Sequence, residues 1–241
     1  MYSPHESEGH NVTDSALREL ADDPSSRKRF FKMLGGAGAV SAFGVFLAAC
    51  GDDKKDAATT STSEPASADD GLKEDLAVLN YALTLEFLEA RFYKQVIASG
   101  IVKDPKVGAI ATKFGESEQQ HVDALKATIV KLGGTPVKAP ATKFQDTIAK
   151  GLMAVLNTAA DVENLGAAAY LGAAGAIKNK DVLAAALSIH SVEARHAAAL
   201  NQLLGRGFGG KGGLKGTLPD GAFGKGMDEA SVLAAVKPFL A

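Results

Sequence analysis

An all-α bundle, four long helices with a short fifth at the C terminus, is the architecture that the sequence predicts, and three observations predict it. Apolar residues make up 46% of the 241-residue chain, aromatics are few and Trp is absent, a composition that suits closely packed helices better than a sandwich or barrel. Apolar side chains recur at helical spacing over long segments. Those segments are parted by stop signals such as "SGIVKDP" and "GGTP", where Gly and Pro punctuate the chain.

From Asp75 to Ser99, Leu76, Leu79, Leu83 and Phe87, together with Leu85, Leu88, Phe92 and Val96, trace the apolar side of a first helix. A second runs from Lys106 to Leu132, with Ile110, Phe114, Val122, Leu125 and Ile129 on one side. The third is expected from Gln145 to Lys178, bent near Gly151 or Asn157, and the fourth from Asp181 to Leu204, ended by Gly205. At 1.5 Å per residue each is on the order of 35 Å or longer, the proportions of an elongated bundle. Residues 132–145, the longest link, read as a crossover between helices 2 and 3 from one end of the bundle to the other. After Gly205 the chain is too rich in Gly for a regular element until "MDEASVLAAVKPFL", a short helix capped by Asp228.

The two helix pairs carry the same pattern. Glu86 is followed seven residues on by Tyr93, and Glu163 seven on by Tyr170; Glu118 is followed three on by His121, and Glu193 three on by His196. The chain holds five His and four Tyr, so four such spacings in this order are a poor accident. Residues at i and i+3 lie on one helix face about 4.5 Å apart along the axis, and i+7 returns to that face about 10 Å along. Four carboxylates in one apolar interior repel one another and resist ionising. Two divalent cations cancel their four charges, and oxygen-rich donors with one imidazole per ion suit iron or manganese. Either Glu-His pair alone would read as a surface pair, and the tyrosines alone as core. Glu89 and Glu116 compete by proximity, but neither has Tyr at +7 or His at +3. His190, three residues before Glu193, reads as exposed rather than as a group supporting a ligand, with both left open, and Arg195 reads as solvated or as a partner for Asp161 or Asp123.

This pattern resembles the ferritin-like superfamily, within it the rubrerythrin-related and desiccation-related group, over about residues 72–205. The resemblance implies a ferritin-like four-helix bundle with bridging carboxylates Glu118 and Glu193, terminal ligands Glu86 and Glu163, one metal-bound imidazole each from His121 and His196, and Tyr93 and Tyr170 hydrogen-bonded to carboxylates. Two iron or manganese ions are the implied cofactors.

The chain begins differently. "SRKRFFK" at 26–32 precedes a 17-residue apolar run and then Cys50, the only cysteine, which excludes an internal disulfide. A run of that length falls short of the roughly 20 residues of a spanning helix and reads as a signal peptide. "LAAC" at 47–50 resembles a bacterial lipobox, which makes Cys50 the point of acylation. The basic element resembles a twin-arginine signal with Lys28 in place of the second Arg, so the general secretory route stays open beside it. Four segments follow: a signal peptide at 1–49, a flexible lipid-tethered linker at 50–70, a ferritin-like domain at 71–205, and a Gly-rich tail with a short helix at 206–241. Removing residues 1–49 takes away five basic and six acidic side chains and leaves 21 against 22, a balance with no electrostatic footprint for nucleic acid.

The functional expectation is an exported protein, lipid-anchored to the outer face of the bacterial cytoplasmic membrane. It would be a dinuclear oxidoreductase acting on peroxide, dioxygen or ferrous iron. The four-cysteine electron-transfer module of rubrerythrins is absent, so an external donor must supply electrons. A homodimer is among the assemblies open to it. The alternative is a structural or stress-protective surface protein that keeps the bundle without turnover.

Overall fold

Helix caps set the boundaries of the elements. The computed structural model describes residues 68–207, 216–217 and 223–241; the expected signal peptide, Cys50 and most of the tether lie outside them. Helix α1 (Ala68–Ser99) begins earlier than the apolar pattern indicates. Its first turn holds Asp69 and Asp70, which complement the positive N-terminal end of the helix dipole, and Lys73 reaches Asp69 at 2.9 Å. Helix α2 (Pro105–Lys131) opens with Pro at a first-turn position, where its fixed φ and missing N–H cost nothing. Asp104 caps it by accepting from the Lys106 and Val107 amides at 2.8 and 3.1 Å.

The third helix of the sequence reading is two helices, α3 (Gln145–Ala149) and α4 (Leu152–Ala173). The break is at Gly151, whose φ of 98° lies where residues with a Cβ are strained. Asn157 stays helical and donates to the Met153 carbonyl at 2.8 Å. Helix α4 also stops short of Lys178, running into one 3-10 turn at Ala174–Ala176. Buried Asp75 of α1 captures the chain just beyond, accepting from the Lys178 and Asn179 amides at 2.7 and 2.9 Å. Asn179 then caps α5 (Lys180–Leu203) and Asp228 caps α6 (Glu229–Val236).

Helix α1 packs along α2, α4 along α5, and α1 against α4. The link at 132–144 is pinned at its start by Asn80, which accepts from the Val137 amide at 2.8 Å. Near its end Gln95 donates to Thr142 at 3.1 Å. Fifteen residues of α1, about 22 Å of helix, separate those two anchors, so the link traverses the bundle as expected and α4 runs antiparallel to α1. The C-terminal segment packs back on α4: Val232 and Val236 are buried, and the Met227 amide donates to the Ala168 carbonyl at 2.9 Å. One apolar cluster gathers around Phe92, Phe144 and Val155, a second around Leu83, Val122, Ile129 and Val182. On α2 and α5 the buried Glu118 and Glu193 stand between residues of the two clusters. Among the described residues no helix is long and apolar enough to cross a membrane.

A Cβ on Gly172 would meet the Met227 carbonyl oxygen at 1.9 Å, whereas one on Gly108 of α2 meets nothing within 4 Å. Gly172→Ala should therefore destabilise the domain by about 1–3 kcal/mol and expose the C-terminal segment to protease. Gly108→Ala should be neutral or stabilising. Urea unfolding and limited proteolysis of both variants check this, and equal behaviour would contradict the packing described.

Candidate metal centre

One carboxylate from each long helix meets in the layer between the apolar clusters. Glu86, Glu118, Glu163 and Glu193 are all essentially without solvent contact, and His121 and His196 are buried beside them. The i, i+3 spacing on α2 and α5 turns each Glu-His pair to the same inner face. His121 Nδ1 lies 3.2 Å from Glu86 Oε2, 2.8 Å from Glu118 Oε2 and 3.1 Å from Glu193 Oε1. His196 Nδ1 lies 2.8 Å from Glu118 Oε1 and 3.2 Å from Glu163 Oε2. The side chains form two sets, Glu86, Glu118, His121 and Glu193, and Glu118, Glu163, Glu193 and His196, each offering ligand atoms within 4.8 Å of one another. Glu118 and Glu193 belong to both.

The tyrosines tie the halves together reciprocally. Tyr93 of α1 donates to Glu163 Oε1 of α4 at 2.5 Å, and Tyr170 of α4 donates to Glu86 Oε1 of α1 at 2.6 Å. Antiparallel helices with the same seven-residue spacing bring each phenol opposite the other helix's carboxylate. Phe114 stacks on the His196 ring with centroids 3.8 Å apart and fixes its plane.

Among the described residues four buried side-chain oxygens lack a hydrogen-bond partner: the Tyr81 hydroxyl, Glu118 Oε1 and both oxygens of Glu193. Glu118 Oε1 is close to His196 Nδ1 but not aligned to accept from it. The three carboxylate oxygens belong to the two residues that the sets share, which is where oxygens facing two cations would stand. Unpaired buried anions are costly, and an all-oxygen set completed by one imidazole fits iron or manganese. The residues present fit a pair of such ions.

The model of the ferritin-like domain matches residues 74–206, more than half of the chain. The chain belongs to the ferritin-like family. No curated protein matches it. In this ferritin-like domain the six residues of the duplicated pattern come together with both tyrosines, as the sequence indicates.

Other readings need correction. His190 is half-buried rather than exposed, with Nδ1 2.9 Å from the Ala167 carbonyl oxygen, and it belongs to neither set. Arg195 is exposed, in keeping with the solvated reading, and Asp161 pairs with Arg206 at 3.1 Å. The residue that the pattern passed over is Glu89, 2% exposed, one turn beyond Glu86. Its position on the same face of α1 as Glu86 and Tyr93 was the available signal.

Burial pushes the carboxyl groups of Glu86, Glu89, Glu163 and Glu193 up, with neighbouring carboxylates adding to it. Burial acts the same way on Glu118, but the two imidazoles beside it win and hold it at about 2. Burial alone would lower His196; Glu118 and Glu163 instead raise it from 6.5 to about 9. A raised imidazole stabilises the metal-free fold fully below its unfolded value and loses that contribution as pH rises through the folded one. The raised Glu193 acts in the same sense. In chelator, the urea midpoint should therefore fall between pH 6.5 and pH 9, and a flat profile would refute the assignment.

Proposed function

We propose that the protein is an exported, lipid-anchored dinuclear iron or manganese oxidoreductase of the ferritin-like family, acting on peroxide, dioxygen or ferrous iron. The observation that carries this reading is the pair of ligand sets sharing Glu118 and Glu193, whose orphan oxygens lie where two ions would meet. Glu86 and His121 would complete one position, Glu163 and His196 the other. Two bound ions supply electrons that no side chain here can offer, and reduction of a peroxide to water consumes two of them with two protons.

The remaining work falls to the chain. The hydrogen bonds from Tyr93 and Tyr170 leave Glu163 and Glu86 one oxygen each beside His196 and His121, free to join the imidazole in holding an ion were one bound. Burial between two apolar clusters excludes bulk water, which strengthens every charge interaction inside. Phe114 holds the His196 ring in plane for its inward nitrogen. Electrons come from an external donor, and acylated Cys50 keeps the domain at the outer face of the membrane.

Metal analysis of the full chain should give about two ions per chain, as four paired carboxylate charges require. Glu118→Ala, which removes a residue common to both positions, should lose both ions and with them peroxide consumption and ferrous iron oxidation. Tyr93→Phe and Tyr170→Phe should keep the ions but weaken affinity by about tenfold each. Two ions per chain with no turnover of either substrate would sink the enzymatic reading. Cys50→Ala should move the protein from the membrane fraction to the soluble one; retention at the membrane would count against the anchor.

A further inference from the structure

The duplication that aligns Glu86 with Glu163 and Tyr93 with Tyr170 aligns Glu89 with Gly166. One half carries a carboxylate where the other carries no side chain, and the two positions face each other. A Cβ built on Gly166 would fall 2.9 Å from Glu89 Oε1 and 3.1 Å from Glu193 Oε2. The missing side chain is a gap on which two carboxylates converge, placing them within about 6 Å of each other, a range at which charges in a protein interior interact strongly. Glu193 brings to the gap an oxygen that accepts no hydrogen bond.

Glu89 differs from the other four buried glutamates in its company. Glu86 and Glu163 each have a phenol and an imidazole, Glu118 has two imidazoles, and Glu193 has His121. After burial itself, the groups acting most strongly on Glu89 are carboxylates: Glu193, Glu86, Glu163 and Glu118. On its outer side stand only apolar residues, among them Leu85, Leu88, Val162, Leu165 and Val236 of α6. No cation of the chain pairs with it among the described residues.

Charge decides what such a residue can do. Four carboxylates neutralise two divalent ions, so Glu89 is in excess of what the divalent pair needs. Each electron that the pair gives up adds one positive charge, and a fifth carboxylate nearby stabilises that more highly charged state over the reduced one.

Resting on the dinuclear reading above, we propose that Glu89, admitted by the gap at Gly166, is a positioning residue whose charge sets the redox balance of the metal pair and favours its oxidised form. It does so through the field it exerts across Glu193, without membership of either ligand set. The half of the repeat that carries Gly166 has no side chain at that position and so leaves room for it. Placing the charge on one half alone makes the two ion positions electrostatically unequal.

The test is an anaerobic redox titration of the full chain loaded with iron, followed by absorbance and electron paramagnetic resonance. Glu89→Gln keeps the size of the side chain and removes the charge. At a fixed applied potential it should lower the ratio of oxidised to reduced iron by about tenfold, a 59 mV rise for one electron, with two ions still bound. Glu89→Asp, which keeps the charge, should titrate close to the parent chain. A Glu89→Gln curve that overlays the parent overturns the proposal, and so does an aspartate variant shifted as far as the glutamine one, because shape rather than charge would then be responsible. Loss of iron from Glu89→Gln would make Glu89 a ligand and equally overturn it. If the parent chain takes up no iron, the dinuclear reading fails first and this proposal with it.

Discussion

Bare carboxylates cannot be packed together in an apolar interior, and the rest of this structure is arranged around that prohibition. Each long helix contributes a glutamate to a buried layer lined by the two apolar clusters, and α1 contributes a second, Glu89. Burial in that layer pushes most of its acids up, whereas the two imidazoles beside Glu118 hold its carboxyl down. Hydrogen bonds from the phenols and contacts with the imidazoles account for some of the oxygens. The cluster that these groups form with Glu118 and Glu193 is compatible with bound metal.

The scaffold meets this demand with small residues and with a crossover. Ala159, Ala160, Gly166, Ala168 and Ala169 are buried along α4, so that helix can approach its neighbours closely while the large side chains come from α1 and α2. The crossover sets α4 antiparallel to α1, and only in that sense do Tyr93 and Tyr170 reach each other's partner glutamates. The duplication is inexact where it matters for chemistry. Phe114 covers His196 while Ile189 occupies the corresponding position on α5, and Glu89 faces Gly166, so two residue sets built from the same pattern differ in their surroundings.

Much of the centre was legible because helix periodicity turns spacing into geometry. Glu118 and His121 share a face whatever surrounds them, and the same holds for Glu193 and His196. The long-range pairings were legible through the repeat: once the halves were aligned, the antiparallel partners followed. What escaped depends on neighbours that no single helix encodes. Glu89 lacks the companions that mark the others, and its significance arises from an absent side chain on α4. The split at Gly151 needs a backbone angle, not a hydrophobic period, to be seen. The first turn of α1 is polar throughout and is held by charge and dipole, to which an apolar pattern is blind.

The reciprocal phenol bonds also say something about the covalent chain. Neither hairpin, α1 with α2 or α4 with α5, owns a complete centre, and each presents half of the carboxylates and one of the two tyrosines that the other lacks. The link between them is a largely exposed span held to α1 at Asn80 and Gln95. A nick in that span would leave two fragments still clamped face to face, because the affinity that joins them resides in the shared interior and not in the peptide bonds that connect them.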